Sequence, residues 1–176
     1  VPVFIGPTRP GFNVAPISAF IHGRNGLGEV LLPPPRRKAY EDAVGFLIRS
    51  VREHGEDLVI VPTGPSTSIA AAMREDPDFA RNARIVMMGG ALTVPGNVTP
   101  YAEANVFQDP QATDYVFRHA RDLTMVGLDV TLRTLLTREH TKQWRGTRTG
   151  RIYADIVDYY IRAYKTTSPH LGGCGL

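Results

Sequence analysis

Three short and almost unbroken apolar runs constrain this chain most: Leu58-Val59-Ile60-Val61, Ile85-Val86-Met87-Met88 and Leu123 to Leu128. Each is too short for an ordinary helix and too continuously apolar for a strand with one wet face, so each reads as a strand buried on both faces. Between them lie helical patterns. From Ala39 to His54 the residues Ala43, Val44, Leu47, Ile48 and Val51 recur at helical spacing, with Glu41 and Asp42 early and Arg52 and His54 late, complementing the helix dipole. Gly55 ends that helix. Thr67 or Ser66 can cap a second one through Ala70, Ala71 and Met73, which Asp76-Pro77 breaks. Asp109-Pro110 supplies an N-cap and a first-turn proline for a third, through Tyr115, Val116 and Ala120.

A further apolar run from Pro2 to Ile5, closed by Gly6-Pro7, reads as a buried strand. A loop-rich stretch from Arg9-Pro10 to Pro35 follows it, carrying Gly11, Gly23, Gly26 and Gly28. Helices are also expected near Thr137 to Gln143 and from Arg151 to Tyr164, where Ile152, Ile156, Tyr159, Tyr160 and Ala163 form a stripe. Strands alternating with helices imply an α/β fold: a doubly wound, mainly parallel sheet with helices on both faces. With 176 residues, 43% hydrophobic and 21% charged, a single domain over residues 1–176 is expected.

Charge and cysteine content remove several function classes. The formal net charge is only +3, and the densest basic run, Arg36-Arg37-Lys38 behind three prolines, is short, so a solvated loop is expected rather than a nucleic-acid surface. No stretch reaches the roughly 18 apolar residues of a membrane helix, and no membrane partner is expected. The single cysteine, Cys174, excludes an internal disulfide and a cysteine zinc cage. A reducing, cytoplasmic location is expected. No phosphate-cradling loop ending in Lys-Ser or Lys-Thr, dinucleotide glycine fingerprint or serine nucleophile elbow is present.

In such sheets ligands bind beyond the carboxyl ends of the strands. There this chain places Thr63-Gly64, Met88-Gly89-Gly90 and Asp129-Val130-Thr131, and beyond Gly90 come Asn97 and the run Glu103-Ala104-Asn105. If Glu103 to Asn105 is extended, a carboxylate and an amide share one face, suited to vicinal hydroxyls because the carboxylate accepts while the amide both donates and accepts. A polar loop face with capping asparagines explains the same letters equally well. His22, flanked by Gly23, can donate or accept toward a heterocycle, although a lone loop histidine is more often inert.

The segments His22 to Gly28, Val61-Pro62-Thr63-Gly64-Pro65, Met87-Met88-Gly89-Gly90, Gly96-Asn97-Val98-Thr99-Pro100, Ala102-Glu103-Ala104-Asn105 and Met125 to Thr131 together resemble, in order, those of the inosine-uridine preferring nucleoside hydrolases. The resemblance spans nearly the whole chain, which looks like the central part of a longer family member. It implies a nucleoside hydrolase-like fold with a Rossmann-like core, and an N-glycosyl hydrolase of purine and pyrimidine salvage that cleaves ribonucleosides to ribose and free base with a bound Ca²⁺. By that resemblance Thr63 lends calcium a carbonyl, Asn97 and Glu103 hold the ribose 5'-hydroxyl, and Asn105 holds the lower hydroxyls. Met88 packs on the sugar, and His22 lies on the base side near Tyr160 and Tyr164. Asp129 supports the site without carrying chemistry. A homo-oligomer, dimer or tetramer, is also in keeping with the family.

The family's aspartate-rich motif belongs upstream of Val1, and its later His-Asp pair belongs after Leu176. No catalytic residue is therefore assigned within these 176 residues, and the chain alone is expected to be inactive. The alternative is a non-enzymatic nucleoside or sugar-binding module, or a degenerate relative.

Overall fold

The structure, a computed structural model, describes residues 1–8 and 18–175. The Arg9-Pro10 and Gly11 portion of the expected loop lies outside the described residues. In chain order the elements are α1 (Ser18–His22), α2 (Ala43–His54), β1 (Val59–Ile60), α3 (Thr67–Glu75), α4 (Pro77–Asn82), β2 (Arg84–Met88), α5 (Ala104–Gln108) and α6 (Pro110–His119). They continue with β3 (Asp122–Val126), α7 (Leu128–Thr131), β4 (Leu135–Leu136), α8 (Arg138–Trp144), α9 (Arg148–Thr167) and β5 (Cys174–Gly175). The elements group into two compact units: residues 1–13 with 35–127, and 14–34 with 128–176.

In the first unit β1, β2 and β3 form a parallel sheet in that order, with Ile60 beside Ile85 and Ile85 beside Leu123. This is the α/β arrangement that the alternating runs imply. Ile85 and Met87 are buried on one face, packed with Ile48 and Val51 of α2, Ile69 and Met73 of α3, Phe79 of α4 and Val116 of α6. The opposite face differs from the expectation of strands covered on both sides, because Val59 and Val61 are 42% and 59% exposed. Strand alternation sends these two side chains away from the helical core that Ile60 joins.

The Pro2 to Ile5 run also departs from a buried strand. Phe4 forms a lone parallel bridge with Tyr40 and stacks on Phe46 at 4.1 Å, while Val3 and Ile5 on either side of it are exposed. Asp76-Pro77 ends α3 and also starts another helix, since Asp76 accepts from the Asp78 amide and Pro77 fills the first turn of α4.

In the second unit α8 and α9 are tied by Arg145, which pairs with Asp155 at 2.9 Å and Asp158 at 2.8 Å, while the Thr141 hydroxyl donates to Asp158 at 2.7 Å. Helix α9 buries Ala154, Ile161, Ala163 and Tyr164; of the expected stripe only Ala163 is buried, while Ile152, Ile156, Tyr159 and Tyr160 are half-buried. In the glycine-rich tail β5 lies antiparallel to β4. There Cys174 is buried, and burial pushes its thiol up to about 11. Among the described residues no helix is long and apolar enough to cross a membrane.

Candidate functional site

The polar residues beyond the sheet come together through the capping of one short helix. The first backbone amides of any helix have no partner within it. In α5 the Asn97 Oδ1 accepts from the Ala104 amide at 2.9 Å, and Glu103, the N-cap, accepts from the Asn105 amide at 2.9 Å and the Val106 amide at 3.2 Å. Glu103 also accepts from the Gly90 amide at 2.9 Å, fastening the helix start to the turn that leaves β2. Gly90 sits at φ 83°, a backbone conformation that favours glycine, and a Cβ there would also press on the Met125 side chain, with its sulfur 2.9 Å away.

Glu103 and Asn105 therefore share a site for a different reason than an extended segment would give. Glu103 is extended, but Ala104 already begins a helix. The Asn105 Nδ2 turns back to donate to the Met88 carbonyl at 3.1 Å and approaches the Met88 sulfur at 3.2 Å. The Met88 amide in turn donates to the Pro62 carbonyl at 2.9 Å, joining the Thr63 turn to the same cluster. Thr63 itself is exposed.

The loop bearing Asn97 is folded on itself. The Gly96 amide donates to the Pro100 carbonyl, the Val98 amide donates to the Ala102 carbonyl, and the Thr99 hydroxyl oxygen accepts from the Tyr101 and Ala102 amides. A Cβ at Gly96 would fall 2.3 Å from the Ala102 carbonyl oxygen, which explains the glycine before Asn97.

Glu103 is 2% exposed, and three of its roughly four acceptor positions are engaged by amides, which leaves about one for a hydroxyl. Asn97 is exposed and Asn105 is half-buried. Among the described residues, the Asn97 Nδ2 and the Asn105 Oδ1 have no hydrogen-bond partner. A donor and an acceptor held beside one helix cap can serve a molecule that both gives and takes hydrogen bonds, as a sugar hydroxyl does.

His22 belongs to the second unit, where it is the last residue of α1 rather than part of a loop. Its ring stacks on Tyr160 at 5.1 Å, and the Tyr160 hydroxyl donates to that of Tyr164 at 3.3 Å. Partial burial pushes the His22 pKa below its ordinary value, favouring the neutral imidazole. Asp129 lies in α7 of the same unit.

A hard divalent cation such as calcium takes about 6–8 oxygens. Among the described residues no group of three or more His, Cys, Asp or Glu side chains gathers to hold a metal. The Thr63 carbonyl does not make a site by itself. These residues do not fit a calcium ion without further ligands.

Sequence reasoning missed the buried link between Thr67 and Asp109. The Thr67 hydroxyl donates to the Asp109 Oδ2 at 2.7 Å, across 42 positions. Asp109 was legible as a helix cap, and it does accept from the Ala112 amide. Nothing in local spacing names its second partner.

A family model described as inosine-uridine preferring nucleoside hydrolase matches residues 1–176. The chain belongs to that family. It is 42% identical over 140 residues to uridine nucleosidase 1 of Arabidopsis thaliana, covering 78% of this chain and 42% of that protein. With the pyrimidine-specific ribonucleoside hydrolase RihA of Escherichia coli it shares 36% identity, over 94% of this chain and 54% of the relative. The solved structure of the purine-preferring ribonucleoside hydrolase from Gardnerella vaginalis is 54% identical, with a TM-score of 0.90 over 98% of this chain and 56% of that one. The chain thus spans about half the length of the relatives it matches.

Proposed function

We propose that this chain carries the ribose-holding part of a hydrolase that cleaves the N-glycosidic bond of ribonucleosides to ribose and free base. The observation that supports this reading most is the capped start of α5, where Asn97, Glu103, Asn105 and Met88 share one hydrogen-bonded cluster. In this reading Asn97 donates to the 5'-hydroxyl, the last acceptor position of Glu103 takes that hydroxyl's proton side, Asn105 accepts from a lower hydroxyl, and Met88 lies against the sugar carbons.

Cleavage of a glycosidic bond passes through an oxocarbenium-like sugar, and hydrogen bonds to the hydroxyls that strengthen as the ring flattens contribute to its stabilisation. A cluster already fixed by helix capping need not reorganise at that moment. Within the second unit, the His22 ring stacked on Tyr160 offers a neutral imidazole able to accept from or donate to a heterocycle. A calcium ion in the whole protein would take the Thr63 carbonyl as one of its oxygens, and would need carboxylate ligands that the described residues do not gather there.

Base release requires an activated water and a protonated leaving base, and neither task falls to the α5 cluster. The 176 residues alone therefore bind a ribonucleoside without hydrolysing it. Comparing uridine with 2'-deoxyuridine by calorimetry tests the proposal. Uridine is expected to bind at least about tenfold more tightly, because a site built around hydroxyls leaves polar groups unpaired when one is missing. Equal affinity for the two overturns the ribose clamp, and appreciable release of uracil overturns the assignment of no catalytic group to this chain.

A further inference from the structure

The hydrogen bonds of the first unit close into a ring that includes residues no ligand would touch. The Pro62 carbonyl accepts from the Met88 amide, the Met88 carbonyl accepts from Asn105, and α5 runs from Asn105 to its end before Asp109. Asp109 accepts from the Thr67 hydroxyl at 2.7 Å, and Thr67 leads back through the Thr63 turn to Pro62. Asp109 is 0% exposed and Thr67 8%. A helix of five residues is marginal by itself, so the place of Asn105 depends on what anchors both ends of α5. At one end that anchor is Glu103. At the other it is Asp109, whose remaining oxygen caps α6 through the Ala112 amide while its carbonyl accepts from the Thr113 amide and hydroxyl.

We propose that Thr67 and Asp109 are a positioning pair for the sugar site: their buried hydrogen bond fixes the separation between the Thr63 turn and Asn105. This rests on the reading of the α5 cluster as a ribose clamp, but its structural half can be tested without a ligand. Replacing Thr67→Val keeps the volume and removes the hydroxyl, leaving a buried carboxylate oxygen without that donor. Thr67→Ser keeps the hydroxyl.

Amide hydrogen exchange on the 176-residue chain provides the first readout. Thr67→Val is expected to speed exchange about tenfold at Met88, Gly90 and Asn105, the amides held by Pro62 and Glu103, while the amides of α2 change little. Thr67→Ser should stay within about twofold of the parent at all of them. Ribose affinity, measured by calorimetry well below the unfolding temperature, is the second readout. It should weaken about tenfold in Thr67→Val and recover in Thr67→Ser. A uniform rise in exchange that includes α2, or no rise at the three amides, overturns the pair as a positioning device. Unchanged ribose affinity in Thr67→Val overturns its link to the sugar. If the parent chain binds no ribose while the three amides still respond, the clamp reading fails and the pair still positions these loops.

Discussion

The two units organise their candidate binding residues by different physics. In the first, the functional side chains are held by directional bonds to backbone: Asn97, Glu103 and Asn105 satisfy amides and a carbonyl around α5, and each has little freedom left. In the second, His22, Tyr160 and Tyr164 are arranged by ring contacts, with one hydroxyl-to-hydroxyl bond of 3.3 Å. Directional bonds fix hydroxyl-sized geometry. Ring contacts fix a plane and an environment, and tolerate sliding. Directional bonds suit a group that presents the same hydroxyls every time, as a pentose does, whereas ring contacts suit flat groups whose edges vary.

The comparison breaks most visibly at the hydrogen-bonded side. Asp109→Ala removes the cap of α6 and leaves the Thr67 hydroxyl buried without its acceptor, so a loss of about 2–4 kcal/mol is expected in urea unfolding. A loss below about 0.5 kcal/mol, the range of ordinary surface changes, would show that the ring of bonds is not structural. At the stacked side the effect is a shift of titration with little loss of fold. Burial lowers the His22 pKa, so the fold bears no penalty above the ordinary histidine value of about 6.5, where the ring is neutral, and loses stability as the pH falls from that value through the depressed folded one. Tyr160→Ala should move the His22 midpoint up toward the ordinary value in an NMR titration, with the amides around α5 unmoved. A midpoint that stays put assigns the depression to some other neighbour.

The smallest effect expected is no effect. Calcium at about 1 mM, the weak end of calcium-binding modules, should leave the melting temperature of the 176-residue chain unchanged, since among the described residues no cluster of carboxylates gathers at Thr63. A rise of several degrees would reveal ligands that the geometry does not bring together.

How far the sequence alone led follows from which forces are local. The apolar runs at Ile85 and Leu123 named the sheet, because a continuous stretch of β-branched and apolar residues has few other uses. The same rule overstated the cover of Val59 and Val61, since a run of apolar letters does not say which face a helix reaches. Glu103 and Asn105 were legible as neighbours in one polar cluster, but α5 was not, because five residues are too few to show a helical period. The loop reading of His22 was displaced by a helix of similar brevity. Thr67 and Asp109 could be recognised as capping residue types, while their contact is tertiary and leaves no trace in spacing.

Whether the capped start of α5 is a sugar site is tested most directly by titrating the isotopically labelled chain with D-ribose. Saturable shifts of the Gly89, Gly90 and Asn105 amides and of the Asn97 side-chain amide, abolished by Asn105→Ala, are the predicted result. Shifts confined to α1 and α9, or none at ribose concentrations that saturate other pentose-binding proteins, would contradict it.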